Sequence, residues 1–89
     1  MKLTIPMPLR KYCEEKDVIY LNVHSINQIG KAVEIAYQKL YKVLFVSNTQ
    51  LNGFANIFLN GILVSDRLNE TIVVKDDDTA ECIVSIAGG

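Results

Sequence analysis

The sequence predicts an α+β fold in which one main helix packs on one face of a mixed sheet of four or five strands. Segments with strand-like alternation stand near both ends of the chain, and one segment with helical spacing stands between them. The 89 residues suffice for one hydrophobic core and not for a second. The composition is 49% hydrophobic with a formal net charge of -1, which is typical of a globular domain. Because the lysines and arginines are scattered and form no basic stripe, we expect no nucleic-acid partner.

Two strands are predicted before the helix. Residues 2–6 alternate between polar and apolar side chains, and Pro6 limits further ladder hydrogen bonds. Residues 18–23 are rich in β-branched and aromatic side chains, which favour a strand. The charged residues 9–17 between them are interpreted as an irregular link, so the two strands are predicted to form a hairpin.

Helical spacing begins after Ser25, which is a good N-cap residue. The apolar residues that recur at intervals of three and four are Ile29, Val33, Ala36, Leu40 and Leu44. A helix over roughly 26–42 would be about 25 Å long, which is enough to cover one face of a sheet. The turn-rich residues 47–53 are predicted to form a loop, and the apolar run 44–46 is left unassigned.

The second half of the chain predicts three more strands. Residues 56–59 form one strand, and Asn60-Gly61 is a strong hairpin-turn dipeptide that returns the chain as a short strand over 62–64. Residues 71–74 are a further segment that could approach the sheet. The acidic residues 76–78 are interpreted as a turn before the last strand, over 80–86.

This order of elements limits the topology of the sheet. Parallel neighbouring strands need a crossover, and the helix is the one predicted element long enough to supply it. The first and last strands are therefore expected to lie side by side at the centre of the sheet. This arrangement is the β-grasp fold.

The residues after the last strand are unusual. A globular domain over 1–86 is followed by a three-residue tail, Ala87-Gly88-Gly89. Glycine removes side-chain bulk, so such a tail can enter a narrow channel and approach a ligand closely. A featureless chain end is the alternative interpretation, although glycine raises the entropic cost of ordering and has no evident structural use there.

Three motifs, together with the predicted order of elements, make the chain resemble the ubiquitin-like small sulfur carriers. They are Ile5-Pro6-x-x-Leu9-Arg10, Ile57-Phe58-Leu59-Asn60-Gly61 and the terminal Gly88-Gly89. This family includes the molybdopterin synthase small subunit, the thiamine-pathway carrier and the cysteine-synthesis carriers. The resemblance covers essentially the whole chain, and the first motif is most similar to the carriers that serve cysteine or homocysteine synthesis.

The resemblance implies a function for the tail. In such carriers a separate adenylating enzyme uses ATP to activate the carboxylate of Gly89, and a sulfur donor then converts it to a thiocarboxylate. A downstream synthase receives the sulfur, while Gly88 keeps the tail slim. The protein would be a carrier and not an enzyme, with no bound cofactor and no metal.

The sequence departs from the family at residues 84–86, where a proline is common, and at 76–78, where Asp-Gly-Asp is common. Aspartate tolerates a left-handed conformation, so that turn is expected to survive.

Strand alternation also predicts where the activating enzyme docks. If the helix covers Cys82, then Ile83 lies on the open face of the sheet, and Phe58 joins it there by the same alternation. Together with Ala87 they form a candidate partner-binding surface. The alternative is that the loop around Phe45 or Phe54 covers this surface.

Other functions were weighed on the same residues. Activation of Gly89 also suits a ubiquitin-like modifier joined to target lysines, and a plain β-grasp interaction module would make no use of the tail.

Cys13 and Cys82 lack a Cys-x-x-Cys spacing, and His24 is the sole histidine, so we expect reduced thiols and no zinc site. No stretch approaches the roughly 20 apolar residues of a membrane span, and no signal peptide is recognised. The expected compartment is the cytoplasm.

Overall fold

The structure, a computed structural model, describes residues 1–85. Within them, five strands form the main sheet in the order β2-β1-β7-β5-β6, and two form a small separate sheet. The strands are β1 (Lys2–Thr4), β2 (Val18–Tyr20), β3 (Phe45–Ser47), β4 (Gln50–Leu51), β5 (Ala55–Leu59), β6 (Ile62–Leu63) and β7 (Thr79–Val84). The helices are α1 (Ile29–Ala36) and α2 (Gln38–Leu44), with 3₁₀ helices at Met7–Tyr12, Ile26–Gln28 and Ser65–Arg67.

The last strand lies at the centre of the main sheet. Strand β7 pairs in parallel with β1, so that Lys2 faces Thr79 and Thr4 faces Glu81. Its other neighbour is β5, which is antiparallel and pairs with β7 from Ala55 opposite Val84 onward. The predicted β-grasp topology, with the first and last strands adjacent, is therefore confirmed.

The prediction of a single helix over 26–42 is wrong in detail. Two helices replace it, and the chain between them is non-helical at Tyr37, whose φ and ψ are -141° and 72°. Neither proline nor glycine stands there, so the periodicity gave no sign of the interruption. The break turns Ala36 out to solvent, whereas the other predicted core positions of the helix are buried, namely Ile29, Val33, Leu40 and Leu44.

The start of the helical segment also differs from the prediction. Ser25 makes no side-chain capping hydrogen bond, and its buried hydroxyl has no hydrogen-bond partner among the described residues. Instead the Gln28 side-chain oxygen accepts a hydrogen bond of 2.7 Å from the backbone N–H of His24. Gln28 therefore ties down the entry into the helix, and Ser25 bridges to Val73, which brings the segment 71–74 beside the helix entry.

Two segments that were predicted to be irregular contain regular structure. The link over 9–17 includes most of the first 3₁₀ helix, in which Leu9 is buried. The run 44–46 and the loop 47–53 contribute the small β3–β4 hairpin, with Phe45 opposite Leu51. These elements are short, so periodicity over a few residues could not distinguish them from loops.

The hairpin turn predicted at Asn60-Gly61 is confirmed. Both residues have positive φ, 49° and 85°, as a two-residue β-hairpin turn of the primed type requires. The Asn60 side chain also donates to an Asp78 carboxylate oxygen at 3.0 Å and accepts from the Thr79 N–H at 3.2 Å. The acidic turn before β7 is thus hydrogen-bonded to the hairpin turn. None of the residues 76–78 takes the left-handed conformation that an Asp-for-Gly replacement was expected to need.

The core lies between the helices and one face of the main sheet. Its fully buried side chains come from the first strands, the helices and β5, and include Leu3, Ile5, Ile19, Ile26, Ile29, Leu40, Leu44 and Ile57. Alternate residues of β7, Ala80 and Cys82, point into it. Gly30 is buried at the start of α1, where a Cβ would overlap the backbone carbonyl of Asn48.

We predict that Gly30→Ala lowers the free energy of unfolding by at least about 2 kcal/mol, because the added methyl group has no room and the neighbour is backbone. Urea unfolding monitored by circular dichroism measures this. Gly53→Ala is the matched control, since a Cβ there meets nothing within 4 Å and is expected to change stability by under about 0.5 kcal/mol. Equal stabilities for the two variants would contradict the close approach of α1 to Asn48.

Candidate functional site

The predicted tail, Ala87, Gly88 and Gly89, lies outside the described residues, and so does the end of the predicted domain at residue 86. The structure does place the chain up to Ser85. Its backbone N–H donates to the carbonyl of Phe54 at 2.7 Å, which continues the β5–β7 ladder one residue past β7. The site is therefore built from the end of β7 and from what surrounds it.

On one side of β7, the pairing with β1 ends before β7 itself ends. The parallel pairs finish at Thr4 opposite Glu81, whereas the antiparallel pairs with β5 continue to Val84. Pro6 explains the difference, because it has no N–H to donate to the next carbonyl of β7. The end of β7 thus has a strand neighbour on one side only.

A groove of about 460 Å³ occupies the space that β1 leaves open. We call it the tail-end groove, and it is lined by Thr4, Ile5, Pro6, Arg10, Asp17, Val18, Glu81, Cys82, Ile83 and Val84. Arg10 belongs to the first 3₁₀ helix, and its Nε donates to the carbonyl of Ile5 at 2.9 Å. This bond holds the 3₁₀ helix against the end of β1 and so shapes the groove beside Val84.

The two predicted docking residues within the described chain both lie on the open face of the main sheet. Ile83 is 45% exposed, and Phe58 is half-buried. Because Phe58 pairs with Glu81 and Asn56 pairs with Ile83, the two apolar side chains are diagonal neighbours on adjacent strands. The structure therefore brings together the residues that alternation placed on this face.

Within residues 1–85, the loops around Phe45 and Phe54 do not cover this surface. Phe45 is buried in β3, and Phe54 packs against the core cluster. Ile83 remains nearly half exposed despite both. The open face is thus available at Phe58 and Ile83.

One apolar residue of this face was not predicted. Leu63 in β6 lies opposite Phe58 and is 46% exposed, and it extends the apolar surface toward the sheet edge. The tight turn at Asn60-Gly61 sets this register, so counting outward from the turn would have found it. Glu81 stands in the same cross-strand row, between Thr4 and Phe58, and places a carboxylate in the middle of the face. We call Phe58, Leu63 and Ile83 the apolar patch.

The cysteines have the properties of core residues. Both are free and buried. Burial raises the pKa of Cys82 to about 12, and burial likewise raises the pKa of Cys13. Because the thiolate is the nucleophile and the metal ligand, these thiols are poorly suited to catalysis.

The remaining polar residues that could serve catalysis or metal binding form no common site within residues 1–85. His24 is exposed on the loop before the helix. Within residues 1–85 no group of three or more histidine, cysteine, aspartate or glutamate side chains is arranged to hold a metal ion. In the same part of the chain, no helix has the length and apolarity needed to cross a membrane.

The topology and the open apolar face define a β-grasp protein of the ubiquitin-like type, and solved structures share this fold. A chain of the Amycolatopsis orientalis BexX/CysO complex superposes with a TM-score of 0.79 at 24% identity, over 99% of this chain and 98% of the other. Mycobacterium tuberculosis CysO, described as an antigen, has a TM-score of 0.78 at 18% identity, over 96% and 98% of the two chains.

A third similar structure is the small archaeal modifier protein 1 of Methanosarcina acetivorans. Its TM-score is 0.75 at 20% identity, over 99% of this chain and 94% of the other. No family model and no curated protein sequence matches the chain. The likeness at these identities establishes the ubiquitin-like fold, and function is argued from the site.

We predict that Ile83→Lys costs less than about 1 kcal/mol of unfolding free energy, because the side chain is partly in water and lies on the same face as Glu81. Ile57→Lys is the matched control on the opposite face of the neighbouring strand. Ile57 is fully buried, and an unpaired ammonium group there should cost several kcal/mol. Chemical denaturation of both variants decides the orientation of the sheet, and an Ile83→Lys protein that fails to fold would contradict it.

We also predict that stability falls as the pH rises from about 9 toward 12. The folded state keeps the Cys82 thiol protonated to about pH 12, whereas the unfolded chain releases that proton near its ordinary value of 9.0. Stability is therefore fully present below pH 9, and it decreases by roughly 1 kcal/mol per pH unit above it. Denaturation midpoints of the protein and of Cys82→Val, measured across this range, test the assignment, since the variant should show the shallower decline. Parallel declines would assign the loss to other groups.

Proposed function

We propose that this protein is a sulfur carrier whose Gly89 carboxylate is adenylated by a separate enzyme and converted to a thiocarboxylate. The observation that carries the proposal is the position of β7. This central strand runs past its neighbour β1 and reaches Ser85 beside the apolar patch, four residues before Gly89. Four extended residues reach roughly 13 Å. That length suits a tail that enters a partner's active site while the patch contacts the partner's surface.

The proposed chemistry is confined to the terminal carboxyl group. The carboxylate attacks the α-phosphorus of ATP and pyrophosphate leaves, which gives an acyl-adenylate at Gly89. A hydrosulfide-equivalent sulfur donor then attacks the acyl carbon, and AMP leaves with the electron pair of the broken C–O bond. The resulting thiocarboxylate is a soft nucleophile that passes its sulfur to a downstream synthase. Cysteine or homocysteine, thiamine and molybdopterin synthesis are the routes that such a carrier serves.

This chain contributes positioning to the proposed reaction. Glycines at 88 and 89 have no side chains to obstruct a narrow channel. The sequence contains no glycine-rich phosphate loop, so the activating enzyme has to bind ATP. The buried cysteines and the exposed His24 supply no nucleophile and base pair among the described residues. The protein is therefore proposed to act as a co-substrate and not as an enzyme.

The apolar patch is proposed as the docking surface for the activating enzyme. Contiguous exposed apolar side chains on a sheet face are typical of protein interaction sites. Leu63 and Ile83 are exposed and the half-buried Phe58 lies between them, so the three side chains form such a group. The similar fold of a chain crystallised in the BexX/CysO complex is consistent with a carrier of this shape that binds a partner protein. Ala87 is proposed to extend the contact along the tail.

A ubiquitin-like modifier is the second candidate. One protein that shares the fold is named small archaeal modifier protein 1, which favours this alternative. The activated Gly89 would then form an isopeptide bond with a lysine of a target protein. Protein adducts that survive reducing, denaturing gels and map to Gly89 would distinguish it from the sulfur carrier. A plain interaction module would show neither product.

We predict that deleting Gly89 abolishes thiocarboxylate formation and leaves the domain folded, because the core lies upstream of the tail. Intact-mass spectrometry of protein purified from its native cells detects the exchange of one oxygen for sulfur. Fragmentation must map the change to Gly89, since oxidation of Met1 or Met7 has nearly the same mass. A variant with one residue added after Gly89 is the matched control for tail length, and it should also lack the product.

Unchanged melting temperatures would show that both variants fold. Normal thiocarboxylate formation in either variant would contradict the proposal, and so would unfolding caused by the deletion. The same mass spectrum of the unaltered protein establishes which residue ends the mature chain.

A further inference from the structure

A second cleft lies on the helix side of the molecule, away from the apolar patch. Its volume is about 410 Å³, and it lies between the first 3₁₀ helix and the break that separates α1 from α2. Lys11, Tyr12 and Glu14 line it from one side, and Tyr37 and Lys39 line it from the other. We call it the Tyr12–Tyr37 cleft.

One lysine of the cleft and one lysine beside it lie over aromatic rings. The Lys11 ammonium lies 5.3 Å from the centroid of the Tyr12 ring. At the rim, the Lys16 ammonium lies 5.4 Å from the centroid of the Tyr37 ring and donates to the Tyr37 hydroxyl at 3.2 Å. A ring face orients an ammonium group without neutralising its charge. The rings therefore fix two cations at the cleft and offer apolar surface beside them.

The backbone around the cleft departs from ordinary local structure at two places. The helix is interrupted at Tyr37 although no proline or glycine is present. The Tyr37 ring at this interruption contacts the Lys16 ammonium. Across the cleft, Glu14 and Glu15 both have φ of 60°, a left-handed conformation that residues with a side chain rarely adopt. Strained or irregular backbone of this kind concentrates at binding sites.

The charge of the cleft contrasts with that of the whole protein. Of the charged residues that line the cleft, Lys11 and Lys39 are cationic and Glu14 is anionic, and the Glu14 carboxylate lies 3.7 Å from the ammonium nitrogen of Lys16, which is not a lining residue. The whole chain has a net charge of -1. Among the described residues Lys11 and Lys39 form no ion pair, and two such ammonium groups in one cleft suit a short anionic segment better than a long polyanion such as a nucleic acid.

The cleft lies at the same end of the fold as the end of β7. Lys11 follows Arg10, and Arg10 lines the tail-end groove together with Val84. The first 3₁₀ helix thus stands between the tail-end groove and the Tyr12–Tyr37 cleft. A protein that receives the tail can reach both.

We propose that the Tyr12–Tyr37 cleft binds an acidic segment of the partner protein that activates the tail. The partner's carboxylates would pair with the ammonium groups of Lys11 and Lys39, and its apolar side chains would pack on the two tyrosine rings. This assignment of the partner rests on the proposed function, whereas the chemistry of the segment rests on the cleft alone. The cleft and the apolar patch then form two separate contacts on either side of the tail.

The first experiment is a titration of ¹⁵N-labelled protein with a short peptide of alternating glutamate and leucine, followed by NMR. We expect saturable shift changes centred on Lys11, Tyr12, Tyr37 and Lys39. The variant Lys11→Glu/Lys39→Glu should bind the peptide about tenfold more weakly. Its matched control is Lys31→Glu/Lys75→Glu, which changes the net charge equally at exposed sites outside the cleft and should bind as the unaltered protein does.

Three results would overturn the proposal. They are equal weakening in both double variants, shift changes that avoid the two tyrosines, and a parallel titration in which inorganic pyrophosphate produces the same shifts at lower concentration. The last would assign the cleft to a small anion. Peptide binding at the cleft in a protein that never forms a thiocarboxylate would refute the proposed function while leaving the acidic docking site in place.

Discussion

The parallel pairing of β1 with β7 is the constraint on which the rest of this structure depends. It joins the two ends of the described chain at the centre of one sheet, so every other element has to fit around it. Parallel neighbours cannot be joined by a tight turn, which is why the helical segment crosses over one face and buries the core there. Pro6 then ends the pairing on one side, and β7 continues along β5 alone.

This pairing determines the chemistry of the strand that leads to the tail. Alternate side chains of β7 enter opposite environments, so Cys82 is buried and inert while Ile83 is exposed. The exposed set meets Phe58 and Leu63 through the register of β5 and β6 and forms the apolar patch. In the proposed function, the central strand fixes the position of Ser85, four residues before Gly89, relative to this patch, so that a partner can bind the patch and receive the tail at once.

The helix side of the same end has a different character. There the helix is interrupted at Tyr37, and Glu14 and Glu15 have a left-handed backbone conformation. These features surround a cleft in which a lysine ammonium group lies over a tyrosine ring. With an acidic segment of the partner in this cleft, recognition is divided between an apolar contact on the sheet and an electrostatic contact on the helices. Contacts of the first kind contribute mainly to affinity, and contacts of the second kind mainly to association rate and choice of partner.

The sequence by itself determined the five strands of the main sheet, the turn at Asn60-Gly61 and the outward direction of Phe58 and Ile83, because alternation and turn chemistry are local properties. The parallel centre of the sheet followed from the order of these elements and the need for a crossover. The tail chemistry was predicted from the resemblance to the small sulfur carriers and stays a prediction, because residues 87–89 lie outside the described residues. Only the tertiary structure decided that the helix breaks at Tyr37, that Gln28 and not Ser25 ties down its start, and that Lys11 and Lys39 face one cleft. The cleft depends on contacts between segments far apart in the chain, such as Lys16 with Tyr37, and the spacing of residues within one segment carries no information about such contacts. The Gln28 hydrogen bond joins residues only four apart, but residue preference favoured Ser25 as the cap and the folded backbone chose otherwise.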